Sequence, residues 1–317
     1  MIGQIMKVHL ILCILTLPLA GGALLASAGA APGAACPPEA LGTGRVLEIG
    51  TAGGLQIGLK TYPQSLDLAS HEIVLTFDDG PAIDTTPKVL DALAKECVKA
   101  SFFLVGRNAD AHPQLVKRTA AEGHTIAHHT FSHPDETLRG MSGSDARADI
   151  LRGFEADDKA AYGAAGGAPK VPFFRFPGFA DTKELVTWLS SKNIAVFGAD
   201  FWASDWALMT PEAQLNLVLE RLEKEQRGIL LFHDTRPQTA AMLPEFLREL
   251  KKRDYRIVHI VPGAVPPPLR PAPEGWTSAT EKIIAEVFAR RNRAEKTQGA
   301  AGAPEPVPPQ GTLPPKP

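Results

Sequence analysis

Short apolar runs recur through the middle of this chain at the spacing of alternating strands and helices, and five of them carry polar clusters at their ends. The first is IVLTFDDGP (Ile73–Pro81). The others run into HHTFSHP (His128–Pro134), RFPG (Arg175–Gly178), ASDW (Ala203–Trp206) and FHD (Phe232–Asp234). Strands are expected at Ile73–Phe77, Ser101–Val105, Thr125–Ala127, Val171–Phe174, Ile194–Ala199, Ile229–Phe232 and Ile257–Ile260. Helices are expected near Pro87–Glu96, with Thr85 or Thr86 as N-cap, and at Asn108–Ala121, Asp145–Tyr162, Lys183–Lys192, Pro211–Gln226 and Ala240–Lys252. Repeated βα units of this length argue for an α/β fold with a parallel sheet, closed into a distorted (β/α) barrel. A barrel gathers the C-terminal strand ends on one rim, so the polar clusters should converge there. An open doubly wound sheet is the competing architecture, but no glycine-rich phosphate loop follows any strand.

The flanks are of different character. Lys7, the apolar run Val8–Ala20 and the small residues Ala26-Ser27-Ala28 read as a cleaved export signal over 1–28, with Met6 an alternative start. An uncleaved membrane anchor is the other reading, although Pro18 and Gly21-Gly22 interrupt the run before the ~20 residues a span needs. Residues 29–69 read as a linker and N-terminal arm, with a short β ribbon around Gly53-Gly54. The βα series follows at 70–262, and a Pro-rich bridge and C-terminal helix at 263–296. Ser278 and Glu281 are spaced as a capping box for that helix. The Pro-rich tail 297–317 has no core-forming pattern and reads as disordered. The formal net charge is −2, and the absence of a basic block argues against nucleic acid as a partner. Beyond the signal only Cys36 and Cys97 remain. They read either as a bridge formed in an oxidising compartment or as two unrelated thiols.

The rim chemistry starts with histidine spacing. His129 and His133 are four apart and lie just past a strand, where the backbone can coil to present both imidazoles to one ion. His124 and His128 share the spacing but span the strand itself, where four residues rise about 13 Å. Asp78 and Asp79 end another strand and point in divergent directions. One can complete a metal site while the other takes a proton from water. Two histidines and one carboxylate leave coordination positions open, as a catalytic site requires.

These motifs resemble the polysaccharide deacetylases, the nodulation-deacetylase homology type of carbohydrate esterase family four, over about residues 70–262. TFDDG stands at Thr76–Gly80, HTxxHP at His129–Pro134, and the Leu-x-His pair at Leu231 and His233. The resemblance implies a polysaccharide-deacetylase barrel in which Asp79, His129 and His133 hold one divalent metal, Zn2+ first and Co2+, Mn2+ or Fe2+ as alternatives. It further implies Asp78 as general base, His233 as general acid and Leu231 in the acetyl-methyl pocket. Arg175 would orient Asp78, Asp205 would steady Arg175, and Trp206 would wall the groove. Two motifs depart from the pattern. Arg175-Phe176-Pro177 is followed by Gly178-Phe179 instead of Tyr-Gly, which leaves Gly178 to supply the oxyanion N–H. Trp202 stands where the family usually has Asp, and His128 where it more often has Asn, so His128 is not expected to be a ligand.

The implied activity is removal of N-acetyl groups from an N-acetylated polysaccharide or oligosaccharide by an exported enzyme, periplasmic or secreted. No stable membrane insertion is expected once the signal is cleaved. The alternatives are an O-acetyl esterase on the same scaffold and a catalytically silent carbohydrate-binding protein.

Overall fold

A computed structural model of the chain describes residues 36–163, 166–282 and 284–285. The proposed signal peptide and the tail 297–317 lie outside the described residues. The chain opens with β1 (Thr43–Gly50), β2 (Leu55–Ile57), β3 (Gln64–Leu66) and β4 (Glu72–Asp78). Alternation then sets in with α1 (Thr86–Lys95), β5 (Ser101–Leu104), α2 (Gly106–Ala111), α3 (Pro113–Ala121) and β6 (Thr125–His128). It continues through α4 (Gly143–Tyr162), β7 (Phe173–Phe174), α5 (Lys183–Ser191), β8 (Ala195–Phe197) and β9 (Phe201–Trp202). The last elements are α6 (Pro211–Glu225), β10 (Gly228–His233), α7 (Pro237–Lys252), β11 (Arg256–Gly263) and β12 (Leu269–Pro271).

All pairings in the main sheet are parallel. Strand β10 pairs β9 and β4, and the wall continues through β5, β6, β7 and β8. This is the distorted parallel (β/α) barrel expected from the periodicity. Strand parity sets its two layers. Val74, Phe103, Ala127, Phe173, Phe197 and Ile229 form one buried cluster inside the wall. Ile73, Leu75, Phe77, Phe102, Leu104 and Phe232 pack outward with residues of α1 and α7 such as Leu90 and Leu243.

Helix boundaries have local causes. Ser142, Thr182 and Thr210 accept hydrogen bonds from backbone N–H groups in the first turns of α4, α5 and α6. Thr85 caps α1 without a side-chain bond; the Thr86 hydroxyl is spent on Ala82 N and on Asp234. The helix expected over Asn108–Ala121 is broken at His112, because Pro113 opens α3 and lacks the N–H that a continuous helix needs.

The N-terminal arm differs from expectation. The segments flanking Gly53-Gly54 are strands but do not form a ribbon together. β1 pairs β11 over Thr43–Gly50 and β2 pairs β8, so this part of the arm belongs to the wall. A turn of so few residues would favour antiparallel pairing locally; the eight-residue β11 and the three-residue β8 offer parallel partners instead. Cys36 and Cys97 are joined in a disulfide with a Cα–Cα distance of 5.9 Å. In the Pro-rich bridge, β12 pairs antiparallel with β3. Beyond it, residues 279–282 are helical, and Glu281 N–H bonds the Ser278 hydroxyl. The remainder of the expected C-terminal helix lies largely outside the described residues.

Candidate active site

The same parity that fills the barrel supplies its rim. Following each inward core residue by two or four positions leads from Val74 to Thr76 and Asp78, from Ala127 to His129, from Phe173 to Arg175, and from Ile229 to Leu231 and His233. Parallel register aligns two of these ends, with His233 opposite Asp78. His128 has the wrong parity. Its ring points outward, where Nδ1 lies 2.8 Å from Asp157 of α4.

Asp79, His129 and His133 each offer one ligand atom, and these atoms lie within 4.8 Å of one another. The Asp79 Oδ1 is 3.3 Å from His133 Nε2 and 3.5 Å from His129 Nε2, and it is buried with no hydrogen-bond partner. His129 Nδ1 is 2.8 Å from the Arg175 carbonyl, which can only accept, so the proton sits on Nδ1 and the Nε2 lone pair faces Asp79. Asp79, Thr130 and His133 take positive φ values of 75°, 70° and 45°. This left-handed backbone after the two strands turns the ligand side chains together and costs free energy, as is common at functional sites. Burial pushes His129 down to about 3, with His133 adding to the shift. Burial alone would raise Asp79, but the facing His233, His129 and His133 lower it.

Asp78 is fully enclosed. Its Oδ1 accepts from Arg175 Nη1 at 2.6 Å, while Oδ2 stands 3.9 Å from His129 Nε2. Burial pushes its carboxyl up to about 6 against the pull of Arg175 and His233. Arg175 is completely buried and also donates to Thr76 Oγ1 at 3.0 Å and to the carbonyls of Gly198 and Phe197. Its guanidinium lies 4.1 Å from the Phe103 ring centroid.

Asp205 does not steady Arg175, as the family resemblance implied. It holds His233. Asp205 Oδ1 is 2.7 Å from His233 Nδ1, and Oδ2 accepts from the His233 backbone N–H and the Thr239 hydroxyl, both at 2.7 Å. Burial would lower the His233 pKa, but the Asp205 carboxylate, with Asp79 and Asp78 beyond, raises it to about 9. Its Nε2 faces the cleft 3.9 Å from Asp79 Oδ2.

A cavity of about 310 Å³ brings Asp78, Asp79, His129, His133 and His233 together with Leu231, Gly178, Phe179, Trp202 and Trp206, while Arg175 and Asp205 stand behind its lining. Phe179, Trp202 and Trp206 form a continuous aromatic wall, with successive ring centroids 5.9 and 5.7 Å apart. Gly178 has φ 59°, a conformation glycine adopts without penalty. Arg236 and Thr280 also line the cavity, and neither is conspicuous in the sequence. Arg236 lies three positions beyond His233, just past the motif. Thr280 arrives from the helical segment beyond the bridge, where the Ala279 and Thr280 N–H groups bond the Lys60 carbonyl.

The profile of the family described as polysaccharide deacetylase matches residues 66–196, and the chain belongs to this family. The peptidoglycan-N-acetylglucosamine deacetylase of Bacillus cereus is 38% identical over 148 residues, which is 47% of this chain and 51% of that protein. The chitooligosaccharide deacetylase of Sinorhizobium fredii is 31% identical over 212 residues, covering 63% of this chain and 94% of that protein. Among solved structures, a Bdellovibrio bacteriovorus peptidoglycan deacetylase superposes with a TM-score of 0.62 at 30% identity, over 73% of this chain and 62% of that one. The chain thus spans about half the length of the Bacillus cereus relative.

Proposed function

We propose that this protein is a metal-dependent hydrolase that removes N-acetyl groups from an N-acetylated polysaccharide or oligosaccharide. The observation that carries the proposal is the convergence of three ligand atoms within 4.8 Å in the same cavity as the carboxylate of Asp78 and the ring of His233. The names of the two relatives, acting on peptidoglycan N-acetylglucosamine and chitooligosaccharide, support an N-acetylated sugar as substrate.

The donor set fits a divalent cation. The orphaned Asp79 oxygen and the committed tautomer of His129 leave one carboxylate and imidazole nitrogens to share a single ion, a set suited to Zn2+ and also to Co2+, Mn2+ or Fe2+. Asp79, His129 and His133 would hold such an ion, which when bound would supply Lewis-acid polarisation of an acyl carbonyl and a lowered pKa for water. Asp78 accepts the proton of the attacking water, its orientation fixed by the 2.6 Å bond from Arg175. His233, held at Nδ1 by Asp205, donates from Nε2 to the departing amine. The Gly178 N–H assists the oxyanion, Leu231 covers the acetyl methyl group, and the rings of Trp206 and Trp202 stack on a sugar face. Export to an oxidising compartment, periplasmic or extracellular, is supported by the Cys36–Cys97 disulfide. Among the described residues no helix is long and apolar enough to cross a membrane.

The test is acetate release from N-acetylglucosamine oligomers and from O-acetylated xylan by the Zn2+-loaded protein, with and without a chelator. Chelator-sensitive release from the oligomers is expected. Release from xylan alone would make the protein an O-acetyl esterase, and no release from either would leave a glycan-binding role.

A further inference from the structure

Arg236 stands apart from the other cationic groups around the site. Arg175 spends its guanidinium on Asp78, Thr76 and two carbonyls. Arg139 is paired with Asp181 and Glu281. Arg221 donates to the Trp202 carbonyl and to Ser204. Arg236 lines the same cavity as Asp79, His133 and Trp206, and among the described residues its side chain has no hydrogen bond and no ion pair. Its Nε is buried and unpartnered. It is close enough to Asp79 to favour that carboxylate's charged form, yet Asp79 faces the three histidines and not the guanidinium.

Arg236 is also held in position. Its backbone N–H bonds the His233 carbonyl, and its own carbonyl accepts from Ala240 in the first turn of α7. The start of this 16-residue helix therefore fixes the arginine backbone relative to the His233 ring. A guanidinium carries five N–H donors in a planar fork that matches a carboxylate with two parallel bonds. Burial of an unspent donor costs free energy, and an anionic partner arriving with the substrate offsets that cost.

We propose that Arg236 is a specificity residue that binds a carboxylate carried by the glycan close to the N-acetyl group under attack, so that the preferred substrate is an acidic N-acetylated glycan. This rests on the deacetylase reading above and narrows its substrate class. A carboxylate also exists in the released acetate, so the test separates the two sources.

The experiment uses β-linked N-acetylglucosamine oligomers in which alternate sugars carry a lactyl ether, once as the free acid and once as the methyl ester. The full-length Zn2+-loaded protein is compared with Arg236→Gln and Arg236→Lys. The wild type should favour the free acid by about tenfold or more in kcat/KM, mainly through KM, as expected for a charge-assisted contact. In Arg236→Gln that ratio should collapse toward one, and Arg236→Lys, which keeps charge but not the fork, should hold part of it. The dissociation constants of acid and ester are measured calorimetrically on the same proteins, so the comparison stands even where turnover is absent. Acetate release from neither substrate, together with tighter binding of the acid, would overturn the deacetylase reading and leave the Arg236 proposal standing. Equal affinity for acid and ester in the wild type would overturn the proposal. So would equal losses on both substrates in Arg236→Gln, or a variant that loses only its inhibition by acetate.

Discussion

Asp205→Asn separates two physical roles for one buried carboxylate. Three donors converge on its two oxygens: the His233 Nδ1–H on Oδ1, and the His233 backbone N–H and the Thr239 hydroxyl on Oδ2. An amide of the same shape has one oxygen. If that oxygen keeps the two bonds at Oδ2, an NH2 group faces Nδ1, and the ring must turn its lone pair there. It then carries a single proton on Nε2 as neutral imidazole, a far weaker acid than imidazolium. General acid help is worth ~10²–10⁴-fold, so turnover of N-acetylated oligomers should fall by about that factor. An aryl acetate, whose leaving group departs without a proton, should be hydrolysed with a much smaller loss. Stability should drop by about 1–3 kcal/mol, the cost of leaving one buried donor unsatisfied. The assay is kcat on both substrates, with a denaturant melt of each protein. Equal losses on amide and aryl ester would refute the reasoning, because they would mean that Asp205 acts through the Asp78–Arg175 pair, which serves both reactions alike.

Other expectations follow from the same geometry. Asp79→Ala and His133→Ala should each abolish metal retention, because one of three protein ligands is lost, whereas Asp78→Asn should retain metal and lose turnover. Elemental analysis of the purified variants decides, and a metal-free Asp78→Asn with a loaded Asp79→Ala would exchange the two assignments. The Cys36–Cys97 bridge closes a loop with a sequence separation of 61, so its reduction should cost about 4 kcal/mol in the chain-entropy model; melts with and without reductant measure it. The His124 Nδ1 accepts the Ala100 N–H, and burial, with Lys99, His259 and Arg118 nearby, pushes this histidine down to about 3. Among the described residues the carboxylate paired with its ring is Glu122, 3.9 Å from Nε2. Because the folded pKa lies below the unfolded one, this contribution is complete above about pH 6.5 and is lost as the pH falls toward 3. A melting temperature that holds steady from pH 7 to 4, or an unchanged acid limb in His124→Gln, would contradict it.

Much of the site was legible because it obeys short-range rules. Inward positions on a strand alternate, so once Val74, Ala127, Phe173 and Ile229 are read as core, Asp78, His129, Arg175 and His233 fall on the same face at the rim. Parity alone also turns His128 away from it. The regular alternation of apolar runs and amphipathic helices similarly dictates parallel strands. Each of these inferences needs only neighbours along the chain.

What the sequence left open depends on which segments meet after closure. The partner of Asp205 is His233 and not Arg175 because β10 lies between β9 and β4, a neighbour relation that no local spacing encodes. The strands β1 and β2 pair with β11 and β8 and not with each other, and those partners lie far away along the chain. Cys36 meets Cys97 only because β1 lies along β11, bringing the arm back to the turn after α1, where Thr43 Oγ1 accepts the Lys99 N–H. Arg236 and Thr280 enter the cavity from a helix start and from the segment that follows the bridge. Local periodicity determined the elements and the chemistry at their ends; long-range pairing decided which of those ends touch.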